Sequence, residues 1–200
     1  MMLAKNVAML VFDDVEPLDF HGPMEVFAAA NQDALNQNAP PPFKVFLVME
    51  SSNLSRTHDG RTGAPQFDLD GCPEPGILLA PGGSGARRAL SNPTLIAWLQ
   101  RNAKQAALIL GVGAGVLLLA EAGLLDGLEA TADPETLDLL PEIAPRVAVQ
   151  KDRRFVDAGN VITSASGTVL ALNVVSRILG EESGGEAAAR VGSPRSWPGP

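Results

Sequence analysis

Three turns rich in glycine or acid hold most of the residues with chemistry to offer. The first runs from Asp13 through Glu16 to Asp19, then His21-Gly22-Pro23; the second is Pro81-Gly82-Gly83-Ser84-Gly85; the third is Gly111-Val112-Gly113-Ala114-Gly115. A pocket carboxylate at Asp19 can serve as acid, base or ligand anchor. As a helix-start acid just ahead of Pro23, it would only meet the positive end of the helix dipole. Both readings stand. Glu16 reads as a solvated loop charge. His21 either faces the pocket and titrates near neutrality or bonds a backbone carbonyl. Backbone N–H groups in the second turn, at Gly82 and Gly83, can form an anion nest or oxyanion hole. Arg87 and Arg88 read as a solvated helix face, and Met9, Met24 and Met49 as core filler.

The third turn admits two readings. A dinucleotide fingerprint, G-x-G-x-x-G, needs glycine where Val116 stands and normally sits on the first strand–helix turn. The alternative is a sharp nucleophile-elbow turn, whose central residue presents its side chain to the pocket from a strained backbone. Gly113 then sits at the apex. Glycine adopts that conformation freely but has no atom to attack with.

These turns must be held by strands. Asn6–Phe12, Phe43–Met49, Gly76–Ala80 and Ala106–Leu110 are short, nearly unbroken apolar runs, as strands covered on both faces should be. Helical patterns lie at Pro17–Asn31, Ala86–Leu90, Pro93–Ala103 and Ala114–Ala122, with a last one over Thr168–Arg190 broken near Gly180 to Gly185. Leu54–Phe67, with Asp59-Gly60 as a turn signal, reads as a small hairpin. Val147–Val149, Phe155–Asp157 and Val161–Ser164 read as further short strands. The alternation predicts an α/β fold: a three-layer sandwich of a mostly parallel central sheet with helices on both faces. Ligands of such sheets bind beyond the carboxyl ends of the strands, so the three turns should converge on one pocket.

Composition narrows the function. The 200 residues are 46% hydrophobic and carry a net charge of −8, from 23 acids against 15 bases. One folded domain over 1–191 is expected, followed by a flexible tail over 192–200. The negative balance argues against nucleic acid and anionic membrane surfaces as partners. A single cysteine, Cys72, and two histidines, His21 and His58, leave too little for a disulfide framework or a metal site. Cys72 precedes the third strand, at the end opposite the pocket. The apolar start is cut short by Asp13, Asp14 and Glu16, unlike a signal peptide. The run from Ala106 to Ala120 is short of the ~20 residues a membrane span needs. A cytoplasmic protein is expected.

The segment from Gly113 to Gly127, Gly-Ala-Gly-Val-Leu-Leu-Leu-Ala-Glu-Ala-Gly-Leu-Leu-Asp-Gly, resembles the elbow of the ThiJ/PfpI superfamily, whose members are class I glutamine amidotransferase-like. Three more segments agree in order: Leu18 to Phe27 with Asn31, Ala80-Pro81-Gly82-Gly83 before Arg87, and Ile162-Thr163-Ser164-Ala165 ahead of a long helix. The similarity is greatest to isonitrile hydratases and to the sensor domains of amidotransferase-like regulators. It implies a flavodoxin-like sandwich, a homodimer and no cofactor. It also implies that the family's nucleophilic cysteine falls at Gly113, the threonine after it at Ala114, and the acid beside the sulfur at Asp19. The amides of Gly83 and Ala114 would cradle an oxyanion and could still receive a carboxylate, chloride or carbonyl. A histidine partner common in the regulators is replaced in Ala132-Asp133-Pro134.

Two functional expectations follow. One is a pseudoenzyme that binds a small molecule non-covalently. The other is a cysteine-independent hydratase or hydrolase in which Asp19 activates water.

Overall fold

Val7 to Leu10, Ile77 to Ala80 and Leu108 to Val112 are buried along their whole lengths, the mark of parallel strands covered on both faces. A computed structural model describes residues 4–50, 55–56, 62–63 and 65–192. The strands are β1 (Lys5–Leu10), β2 (Phe43–Met49), β3 (Ser55–Arg56), β4 (Thr62–Gly63), β5 (Phe67–Asp68), β6 (Ile77–Ala80), β7 (Leu108–Val112), β8 (Glu129–Ala130), β9 (Ala148–Val149), β10 (Phe155–Asp157) and β11 (Val161–Ser164). The helices are α1 (Pro17–Asn36), α2 (Ala86–Ala89), α3 (Pro93–Ala103), α4 (Gly115–Glu121), α5 (Pro134–Ile143), α6 (Gly167–Leu179) and α7 (Glu181–Arg190).

Seven strands form the central sheet in the order β10-β11-β7-β6-β1-β2-β5. All its pairings are parallel except β10 with β11. Helices α1, α6 and α7 pack on one another, while α4 packs against α2, α3 and α5. The chain leaves β1 for β2 on one side and later returns to β6 on the other. That reversal opens a crevice at the carboxyl ends of β1 and β6, where sheets of this type bind ligands.

Local chemistry sets the helix starts. Asn92 caps α3 by accepting from Thr94 N and Leu95 N at 3.1 and 3.2 Å, and Pro93 follows with no N–H to leave unpaired. A glycine with φ +98°, Gly180, separates α6 from α7, so the break anticipated there is one left-handed residue.

Some boundaries differ from the sequence reading. Helix α1 runs to Asn36 rather than Asn31, because its buried face ends at Ala30 and its last turns carry no apolar periodicity to read. Strand β7 is displaced two residues toward its carboxyl end, taking in Gly111, which pairs with Ala80 and Thr163. A Cβ at Gly111 would stand 2.8 Å from a Leu119 methyl, so α4 packs directly onto the strand there. Helix α5 is not anticipated at all. Its two prolines resemble breakers, yet Pro134 lies in the first turn, where a missing N–H costs nothing. The hairpin is present as the antiparallel pair β3–β4. Its Asp59-Gly60 turn, His58, and the tail from 193 onward lie outside the described residues. Among those described, no helix is long and apolar enough to cross a membrane.

Candidate functional site

Three chain reversals meet at the carboxyl end of the sheet. After β1, Asp14 takes a left-handed φ of 60° and the chain enters α1 with Glu16 as its N-cap. Asp19 thus falls in the first helical turn, where its Oδ2 accepts a 3.0 Å hydrogen bond from Gly82 N in the turn after β6. Asp19 thus stands both in the first turn of the helix and on the wall of the cleft. A Cβ on Gly82 would lie 2.6 Å from Asp19 Oδ2 and 2.8 Å from Ala114 N. The three turns touch without room for a side chain at that point.

The turn after β7 brings in Gly113. Its N–H donates to Ser164 O at 2.9 Å and its carbonyl accepts from Val116 N at 3.1 Å, fixing the residue at φ +51°. A Cβ built there would sit 3.2 Å from Asp19 Oδ2 and 3.4 Å from Asp133 Oδ2. Asp133 is the N-cap of α5. Its Oδ1 accepts from Thr136 N at 3.0 Å and its Oδ2 from Thr136 Oγ1 at 2.7 Å. Two carboxylates, each tied to the backbone, therefore flank the place where a side chain of residue 113 would be.

Above them opens a cleft of about 580 Å³ lined by Asp19, Gly83, Ser84, Gly113 and Ala114, among others. Its charged lining is Glu16, Asp19, Asp133 and Glu135 against Arg87. Burial pushes the Asp19 carboxyl up to about 6; the Gly82 N–H pulls it down, and the charges of Glu16 and Asp133 push it further up. This lining is more acidic than the anion nest anticipated from Gly83 and Ala114.

The remaining candidates divide. Gly82 is buried beneath the cleft and shapes it through Asp19, while Glu16 lines it rather than standing in a solvated loop. His21 is exposed, with its ring 4.4 Å from that of Phe20, and does not line the cleft. Cys72 lies away from it, half-buried, its thiol pushed up to about 11 by burial. Asp133 went unrecognised as a site residue. The signal was there in Asp133-Pro134-Glu135-Thr136, a cap residue followed by proline at the first helical position. Among the described residues, no group of three or more His, Cys, Asp or Glu side chains is placed to hold a metal ion.

Residues 5–176 match the model of the DJ-1/PfpI family. The chain belongs to that family. Among DJ-1/PfpI relatives, it is 28% identical over 181 residues to the isonitrile hydratase of Pseudomonas putida, covering 89% of this chain and 74% of the hydratase. It is 32% identical over 144 residues to the HTH-type transcriptional regulator CdhR of Pseudomonas aeruginosa, covering 72% of this chain but only 40% of the regulator. The fold superposes on a ThiJ/PfpI family protein from Pseudomonas syringae with a TM-score of 0.84 at 26% identity, covering 96% of this chain and 76% of that one. Drosophila melanogaster DJ-1beta shares the fold at 20% identity, with a TM-score of 0.80 over 96% of this chain and all of that one. Both expectations about fold, a mostly parallel sheet between helices and membership of this family, hold.

Proposed function

We propose that this DJ-1/PfpI chain binds a small molecule in its cleft without bonding to it covalently, as a ligand-binding or regulatory module. The observation that carries this reading is the glycine at the apex of the β7–α4 turn. A nucleophile presented there needs a side chain, and Gly113 has none. The family resemblance reads the nucleophilic cysteine at this position, so what remains is the cleft with its carboxylates and backbone amides. On the same reading the protein works in the cytoplasm as a homodimer, and it responds to a small molecule rather than to nucleic acid.

A second reading draws on Asp19. A carboxyl raised to about 6 exchanges its proton close to neutrality, the range in which general acid–base catalysis is most effective. Together with the likeness to isonitrile hydratase, this supports a hydratase or hydrolase in which Asp19 takes a proton from water. Incubation with p-nitrophenyl isocyanide, followed by chromatography for the formamide, separates the two. The binding reading expects no turnover above buffer. Turnover that disappears in Asp19→Asn would establish the second reading and remove the first.

A further inference from the structure

Strand β11 is buried along its whole length, yet it ends in two hydroxyl side chains: Thr163 is 1% exposed and Ser164 is fully buried. Buried hydroxyls cost free energy unless they are bonded. The two residues hold different segments of the cleft wall. Ser164 O accepts from Gly113 N at 2.9 Å and holds the apex of the turn after β7. Thr163 Oγ1 accepts from Thr131 N at 2.9 Å and holds the segment that leads into α5. Thr131 is itself fully buried, with its hydroxyl 2.8 Å from both Gln150 O and Arg153 O. Asp133, two residues on, caps α5 and brings its Oδ2 to 3.4 Å from a Cβ built on Gly113. Adjacent residues of one strand therefore fasten both Gly113 and the approach to Asp133. Valine has the branched shape of threonine and suits a buried parallel strand. The hydroxyl at 163 answers instead to the Thr131 N–H, which would otherwise be buried without a partner.

We infer that Thr163 is a positioning residue of the cleft: acting through Thr131, its hydroxyl sets where Asp133 stands relative to residue 113. Thr163 does not itself line the cleft. It governs the charge beside the apex by fixing the chain that carries Asp133. The inference goes beyond the reading of the cleft as a non-covalent binding site and holds for either function proposed above, since it concerns only which charges face residue 113.

A thiol placed at the apex reads that charge. Gly113→Cys combined with Cys72→Ser leaves the chain a single thiol, and its reaction with a neutral disulfide reagent between about pH 6 and 11 gives the midpoint at which it ionises. A neighbouring carboxylate disfavours the thiolate. Asp133→Asn removes the charge and still caps α5. It is expected to lower the midpoint by at least about half a unit, about threefold in ionisation, as one charge a few ångströms away requires even in water. Thr163→Val should lower the midpoint likewise, and Thr163→Ser should keep the parent value. Beside Asp133→Asn, Thr163→Val should add nothing. An unchanged midpoint in Asp133→Asn or in Thr163→Val overturns the inference, as does a fall in Thr163→Val that persists undiminished beside Asp133→Asn. Where the apex thiol prevents folding, the Asp19 carboxyl of the parent chain is the reporter. The Asp133 charge helps to hold it up, so its carbon-13 titration midpoint should fall in Asp133→Asn and Thr163→Val but not in Thr163→Ser. Should Thr163→Val not fold, Thr163→Cys, whose sulfur accepts only weakly, carries the same expectation in that titration. No ligand enters either measurement, so failure here leaves the binding reading to its own test.

Discussion

Two glycine turns stand side by side at the carboxyl end of the sheet, and glycine is there for different reasons. In the turn after β6, a side chain on Gly82 would run into Ala114 N and Asp19, and one on Gly83, at φ +115°, into the backbone of Asp14, Val15 and Glu16. Those glycines let three chain segments touch. In the turn after β7, Gly113 also lies at positive φ, but its Cβ would stand 3.2 Å from Asp19 Oδ2, 3.4 Å from Asp133 Oδ2 and 4.0 Å from Gly82 Cα, with no backbone atom closer than that. A side chain there is strained yet has room. Glycine is a packing requirement at 82 and 83, whereas at 113 it leaves a position beside two carboxylates without a side chain.

Substitutions can break or sharpen this contrast. The largest effect is expected for Gly83→Ala, which forces a Cβ into neighbouring backbone in a conformation L-residues avoid. It should cost at least about 3 kcal/mol or prevent folding. Urea denaturation checks it; a loss below about 1 kcal/mol would show that the turn can relax.

Next comes the pH dependence set by Asp19. Its carboxyl is raised in the folded state to about 6, above the ~4 of an unfolded chain. The folded protein therefore holds the proton more tightly. That contribution is fully present below about pH 4 and is lost as pH rises through 6. The whole effect amounts to roughly 2 to 3 kcal/mol, since one unit corresponds to about 1.4 kcal/mol. Denaturant midpoints between pH 4 and 8 should carry this slope, and Asp19→Asn should remove it. An unchanged slope in the variant would assign it to other groups. The charges facing Asp19 are Glu16 and Asp133, with Glu135 and Arg87 also on the cleft wall.

Gly113→Cys is expected to be milder, costing about 1 to 2 kcal/mol for the left-handed backbone, while the protein still folds. The new thiol should react with a disulfide reagent at pH 7 faster than Cys72, whose thiol burial holds at about 11. Equal labelling of the variant and the parent chain would mean that the cleft does not expose residue 113. The smallest effect belongs to Arg88→Ala. Its ion pair with Asp14, beside the same turn, has side chains 62% and 38% exposed, so the loss should stay within about 1 kcal/mol. A larger thermal shift would make that pair part of the turn's architecture.

The fold was legible where periodicity and capping agree. Asn92-Pro93 marks the start of α3, and the apolar runs at 7–10 and 77–80 mark strands that need no partner to be recognised. Reading failed where the local signal is polar or short. The end of α1 has no buried face, and α5 buries only Thr136, Leu137 and Leu140. The site was half legible. Asp19, Gly82, Gly83, Gly113 and Ala114 could be placed together because each follows a strand or starts a helix. Asp133 could not, because its approach to Gly113 depends on how α5 docks against α4.

The alternation of the main strands and helices, the side-chain-free apex at Gly113 and the solitary thiol at Cys72 are properties of the sequence by itself. They follow from residue identity and short-range periodicity. The meeting of Asp19 and Asp133 around one empty position, and the raised carboxyl of Asp19, belong to the tertiary structure alone. Both depend on burial and on through-space distance between segments more than a hundred residues apart in the chain, which sheet order and helix docking establish and local sequence does not encode.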